Sequence, residues 1–292
     1  MKFGVNKSVP SPRTYLYEYT VKRPVGKIQI PDEFIISELP KVKNQGSVNS
    51  CCACAAAEVL EILNLREFGE HAIFSEGYIY GRCRSPQGKY KGMYPDLLVE
   101  ELRKKGSVPT TIYNKCYEMP EMQELLNDNP HISKLDELAE KYRLKAYVAF
   151  LGKKYAEMKE ALYTHDTPLF AVCEDYFRES HAIIIVGFTK NGFIIQNSWG
   201  EKWGNKGRKV VPFNAIDYAY LFIDEVFELN FKDVKESDWF YKAVKEAVFG
   251  GLMKGRSEDT FDPIVPPTRA ELAQFGVNIL KKIEEIQKIK EG

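Results

Sequence analysis

The feature that most limits how this chain can fold is a change of hydrophobic period near residue 142. Residues 29 to about 142 read as mostly helical. The stretch Asp96-Leu97-Leu98-Val99-Glu100-Glu101-Leu102-Arg103-Lys104-Lys105 carries apolar residues at i, i+4 spacing and stops at Gly106, as a helix C-terminus does. Residues 51–61, rich in Ala and Cys, read as another helix, with Ser50 as its N-cap. From about residue 143 the pattern turns to strands, at 144–150, at 168–172, and in two runs that open at His181 and Gly192. The fold class this predicts is α+β, a helix-rich half followed by a β-rich half. A third unit begins at about residue 229.

Four residues in these two halves form a chemical set: Gln45, Cys51, His181 and Asn197. Gln45 lies six residues before Cys51, His181 follows Cys51 by 130, and Asn197 comes 16 later. A thiol nucleophile, an imidazole to take its proton and an amide to orient the imidazole are what acyl transfer through a thioester needs. Cys51 falls in the first turn of its helix, where unpaired N–H groups and the positive end of the macrodipole favour thiolate. The Gln45 amide and the Cys51 N–H would form an oxyanion hole, in which one donor is worth about 3 kcal/mol of barrier. Cys52 and Cys54 read instead as small packing residues. Three thiols in four residues point around one helical turn rather than at one centre. Cys83, Cys116 and Cys173 are scattered, so neither a metal nor another cofactor is expected. His71, His131 and His165, in polar or loop-like surroundings, read as surface histidines.

Residues 29–228 resemble the papain family of cysteine peptidases. The resemblance rests on three blocks in order: 42–47 with 48–52, the run opening at His181, and 192–204, which contains Asn197-Ser198-Trp199-Gly200. Val48 stands where the family has a disulfide cysteine, and Cys52 stands where it has an aromatic residue. With that bridge lost, the six cysteines fit a reduced compartment. The resemblance implies a two-lobed fold, with a helical lobe carrying Cys51, a β-barrel-like lobe carrying His181, and the active site between them. It implies a cysteine endopeptidase acting on protein or peptide, with Trp199 shielding the bond between Asn197 and His181. Met93, Tyr94, Pro95, Val172 and Ala182 match the pocket that selects hydrophobic or aromatic side chains two residues before the scissile bond, although Met93 stands where the family usually has glycine. Two alternatives remain open at this point: a catalytically silent scaffold or wall-binding protein, and a thioester acyl transferase that excludes water.

From residue 229 to 292 the chain resembles a single S-layer homology module. The resemblance rests on Phe231-Lys232-Asp233-Val234, Trp239, Gly250-Gly251-Leu252-Met253-Lys254-Gly255, Phe261-Asp262-Pro263 and Thr268-Arg269-Ala270-Glu271. Such modules are small and all-helical, and they hold bacterial surface proteins to wall polysaccharide. By resemblance, Asp233, Trp239, Gly255 and Arg269 line a glycan site. Trp239, Ala243, Val244, Ala247 and Val248 predict one helical stripe. Thr268 and Glu271 predict a capping box opening a helix with Leu272, Phe275, Ile279, Ile283 and Ile286 on one face.

Lys plus Arg equals Asp plus Glu at 41 each, so nothing calls for nucleic acid or an anionic membrane as partner. The longest apolar runs, such as 182–188, are far short of a membrane span. No signal peptide is visible at the N-terminus, whereas the C-terminal module points to the cell surface. Residues 1–28 form an extension in which Tyr15, Tyr17 and Tyr19 alternate. It reads as an edge strand of the β-rich half or as a short inhibitory strand along the cleft.

Overall fold

The structure, a computed structural model, describes Val5, residues 29–83, 92–114, Leu125, residues 130–223, Leu229, and residues 231–249, 251–257 and 259–291, with side chains in the last helix described to residue 284. The Tyr15–Tyr19 segment lies outside the described residues. Among the described residues of the first half are helices α1 (Cys51–Phe68), α2 (Glu76–Cys83), α3 (Pro95–Lys105) and α4 (Pro130–Ala139). Helix α3 ends at Gly106, which adopts φ 78°. Strand β1 (Phe34–Ile35) precedes them. After them come β2 (Ala146–Leu151), helix α5 (Tyr155–His165), β3 (Leu169–Cys173), β4 (His181–Thr189), β5 (Gly192–Gln196), β6 (Arg208–Val211) and β7 (Tyr218–Ile223). Helix α5 falls inside the half read from sequence as β, because Met158, Ala161 and Leu162 are buried on one side of it. His165 at its end is half-buried rather than on the surface.

The seven strands form one antiparallel sheet in the order β2-β7-β3-β4-β5-β6, with β1 laid against β4. β3 and β7 are buried at every residue and β4 at all but its last, so their sequences are continuous apolar runs rather than alternating ones. Each buried Ile, Leu or Val contributes about 1.5–3 kcal/mol of transfer free energy. Gly187 has a steric reason: a Cβ there would overlap the Phe34 carbonyl where β1 crosses β4. Helix α1 packs on β4 and is buried at every residue from Cys51 to Asn64. Its Ala and Cys side chains permit that close approach.

The C-terminal unit contains α6 (Tyr241–Phe249) and α7 (Arg269–Glu291). The capping box forms as read, with Thr268 N–H donating to Glu271 Oε2 at 2.6 Å and Glu271 N–H to Thr268 Oγ1 at 3.2 Å. The two predicted stripes need correction. Trp239 precedes α6 and is 92% exposed, and Ala243 is exposed, so the buried side of that helix is formed by Val244 and Phe249. On α7, Phe275 and Ile279 are half-buried but Leu272 and Ile283 are exposed. A helix of 23 residues runs about 34 Å, well over twice the length of the 9-residue α6. No helix among the described residues is long and apolar enough to cross a membrane.

Candidate active site

The first turn of α1 places Cys51 against the opening residue of β4, His181, and both are fully buried. Ser50 occupies the N-cap position without capping through its side chain. Its backbone sits at φ −107° and ψ 19°, outside the extended region a cap needs, and its hydroxyl lies beside Cys54 Sγ. Cys51 is a buried thiol with His181, Cys52 and the Ala182 N–H as its electrostatic neighbours. Burial works against its ionisation, but the Cys52 hydrogen bond, the charge and hydrogen bond of His181 and the Ala182 N–H outweigh it, so its pKa falls well below that of an ordinary thiol. Burial pushes Cys52 and Cys54 the other way, well above it.

His181 Nε2 and Asn197 Oδ1 are 2.7 Å apart. With Nε2 donating to the amide oxygen, Nδ1 is the acceptor of the neutral ring. Aromatic rings enclose this pair. Trp199 lies 4.8 Å from the imidazole centroid at 33°, Phe177 meets the imidazole edge-on at 5.1 Å, and Trp203 meets Trp199 edge-on at 5.7 Å. Of these rings, the family resemblance had pointed to Trp199 alone. Phe177 and Trp203 were missed, since nothing in their spacing marks them.

Gln45 is buried and held from two sides. Ser198 Oγ donates to its Oε1 at 2.6 Å, and its Nε2 donates to the Val48 carbonyl at 2.8 Å, which fixes the donor end of the amide. The backbone repeats this tie through Gln45 N–H to Ser198 O at 2.9 Å, Gly200 N–H to Lys43 O at 3.0 Å, and a bridge between Asn44 and Trp199. The structure therefore brings Gln45, Cys51, His181 and Asn197 together. The missed residue here is Ser198, whose only sequence signal is its place next to Asn197.

Of the pocket residues, Val172 and Ala182 are direct cross-strand partners on β3 and β4, and Met93, Val172 and Ala182 are fully buried. Cys52 Sγ approaches the Met93 carbonyl at 4.0 Å. Pro95 is buried at the start of α3, and Tyr94 beside it is half-buried. Val5, the described residue of the extension, forms a parallel bridge with Met93.

Further along from Cys51, α1 carries two buried carboxyls, Glu58 and Glu61. Lys43 Nζ lies 2.9 Å from Glu61 Oε1 and 3.3 Å from Glu76 Oε2. Glu58 Oε1 accepts from Lys43 N–H and from Gln196 Nε2, each at 3.1 Å. Burial raises the Glu58 pKa to about 8. Among the described residues no three His, Cys, Asp or Glu are arranged to hold a metal.

The sequence model of the papain family cysteine protease matches residues 34–211. This chain belongs to the papain family. A second model, the S-layer homology domain, matches residues 230–273. Falcipain-2b of Plasmodium falciparum is 30% identical over 113 residues, which is 28% of this papain-family chain and 22% of the falcipain. Falcipain-2a of the same organism is 29% identical over 109 residues, with the same shares covered. The match thus spans about a fifth of the curated relatives. Among solved structures, the cysteine protease xylellain of Xylella fastidiosa aligns with TM-score 0.62 at 19% identity, covering 76% of this chain and 96% of xylellain. Procathepsin B S9 from Trypanosoma congolense aligns at 0.56 and 17%, covering 77% and 87%. At these identities the likeness establishes the fold.

The residues read as lining a glycan site divide into two kinds. Asp233 accepts hydrogen bonds from the Phe261 and Asp262 N–H groups, and a Cβ at Gly255 would overlap the Phe231 ring, so these two shape the module itself. Trp239 and Arg269 are exposed.

The buried Glu58 makes stability depend on pH. Between its ordinary value of 4.5 and about 8 the unfolded chain loses this proton while the folded chain keeps it, so stability should fall as pH rises through that window and level off above it. Glu58→Gln keeps the acceptor for Lys43 and Gln196 but has no proton to lose. The difference in melting temperature between Glu58→Gln and wild type should therefore shift in favour of the variant from about pH 5 to 8. Parallel melting profiles across that range would contradict a buried, proton-holding Glu58.

Proposed function

We propose that the chain is a cysteine endopeptidase in which Cys51 is the nucleophile, His181 the general base and acid, Asn197 the orienting amide and Gln45 an oxyanion donor. The observation that carries this reading is the 2.7 Å contact between His181 and Asn197 on an imidazole whose charge helps lower the pKa of the buried Cys51 thiol. The thiolate attacks the scissile carbonyl, and the oxyanion is held by Gln45 Nε2 and the Cys51 N–H. Collapse to the thioester breaks the C–N bond as imidazolium gives its proton to the leaving amine. Water, deprotonated by His181, then attacks the thioester and releases the acid and the thiol. The apolar Met93, Pro95, Val172 and Ala182 favour substrates with a hydrophobic or aromatic side chain two residues before the cut. In the C-terminal module we assign glycan contact to the exposed Trp239 and Arg269, with Asp233 and Gly255 shaping the turns beside them.

Cys51→Ala should abolish hydrolysis of a peptide library and labelling by a peptidyl electrophile, whereas Cys54→Ala should mainly lower the melting temperature. Gln45→Ala should lower kcat by about 10²–10³. Asn197→Ala should cost less than His181→Ala, since the base is kept and only its orientation is lost. Labelling without hydrolysis would favour an acyl transferase, and an unlabelled chain would favour a silent scaffold.

The bridge between Val5 and Met93, together with the full burial of Cys51, favours an inhibitory role for residues 1–28 over an edge strand. A chain beginning at Lys27 should hydrolyse peptides faster than the full chain at an unchanged melting temperature. If truncation lowers rate and melting temperature together, the segment is structural.

A further inference from the structure

We propose that the cavity between Pro40–Val42 and Glu201–Arg208 binds a small polyvalent anion of the phosphate type, and that this anion ties together the two segments holding Gln45 and Asn197. The cavity measures about 550 Å³, within the range of ligand sites. Lys41, Lys202, Lys206 and Arg208 line it, and Glu201 is the one carboxylate in the lining, on a chain whose charges otherwise balance at 41 and 41. None of these four cations forms an ion pair or a side-chain hydrogen bond with any described residue. Arg208 Nε is buried without an acceptor. Arg208 interacts electrostatically with the Glu58 and Glu201 carboxyls, and guanidinium and ammonium donors form their strongest hydrogen bonds to charged oxygens.

The walls of the cavity are also the supports of the candidate active site. The Pro40 carbonyl accepts from Gln196 Nε2 at 3.2 Å, and the Asn197 N–H donates to the Gly207 carbonyl at 3.0 Å. The Val42 side chain fills the space over Gly207, and Lys43, next along, accepts the Gly200 N–H. Lys41 lies on the Gln45 side of this seam, while Lys206 and Arg208 lie on the Asn197 side. An anion held by both sides bridges segments that are more than 150 residues apart in the chain.

Calorimetric titration of the full chain with inorganic tripolyphosphate, at fixed ionic strength, tests this. The expected result is one-to-one binding, a raised melting temperature, and the same affinity in Cys51→Ala, so the result stands whether or not the chain hydrolyses peptides. The double variant Lys41→Gln with Lys206→Gln replaces two exposed, unpaired side chains and should keep its fold by circular dichroism. It should bind about tenfold more weakly or worse, because each charge-assisted contact is worth about that factor. Absence of binding to the wild type, or equal affinity in the folded double variant, would overturn the proposal. Chloride or acetate binding as tightly as tripolyphosphate would overturn the polyvalent class.

Discussion

The burial of helix α1 on every side is the constraint from which the rest follows. From Cys51 to Asn64 every residue is buried, yet the run includes Glu58, Glu61 and Asn64. Buried polar groups must find partners, and the partners here come from neighbouring segments. Glu58 takes the Lys43 N–H and Gln196, Glu61 takes the Phe74 N–H and Lys43, and Asn64 donates to the Glu70 carbonyl. Lys43 leads into Gln45, and Gln196 precedes Asn197. The polar side of α1 therefore positions both of the segments that carry Gln45 and Asn197.

The same logic explains how two halves of the chain meet without a covalent link. Gln45 and Ser198 share backbone and side-chain hydrogen bonds, Asn44 bridges Trp199, and β1 crosses β4 where only a glycine fits. Each tie is a net kcal/mol or so. Together they tie the segments that carry Gln45, Cys51 and His181 to one another.

Much of this was legible in the sequence because it depends on local signals. The end of α3 at Gly106, the opening of β4 at His181 and the capping box at Thr268 follow from residues within a few positions of one another. What could not be read depends on distant neighbours. Glu58 and Glu61 look like the polar side of a surface helix, and only the fold shows that they are buried. Phe177 carries no periodic signal and reaches His181 through a loop. Trp239 reads as part of an apolar stripe, yet α6 begins two residues after it and leaves it in solvent.

The central claim is that Cys51 is held as a thiolate by the imidazole that Asn197 orients. Ultraviolet absorbance of the thiolate, taken as wild type minus Cys51→Ala and followed against pH, reads this without requiring the buried sulfur to meet a reagent. The account predicts an inflection well below that of an ordinary thiol, moving toward the ordinary value in His181→Ala. An ordinary inflection in the wild type, or one that His181→Ala leaves in place, would contradict it.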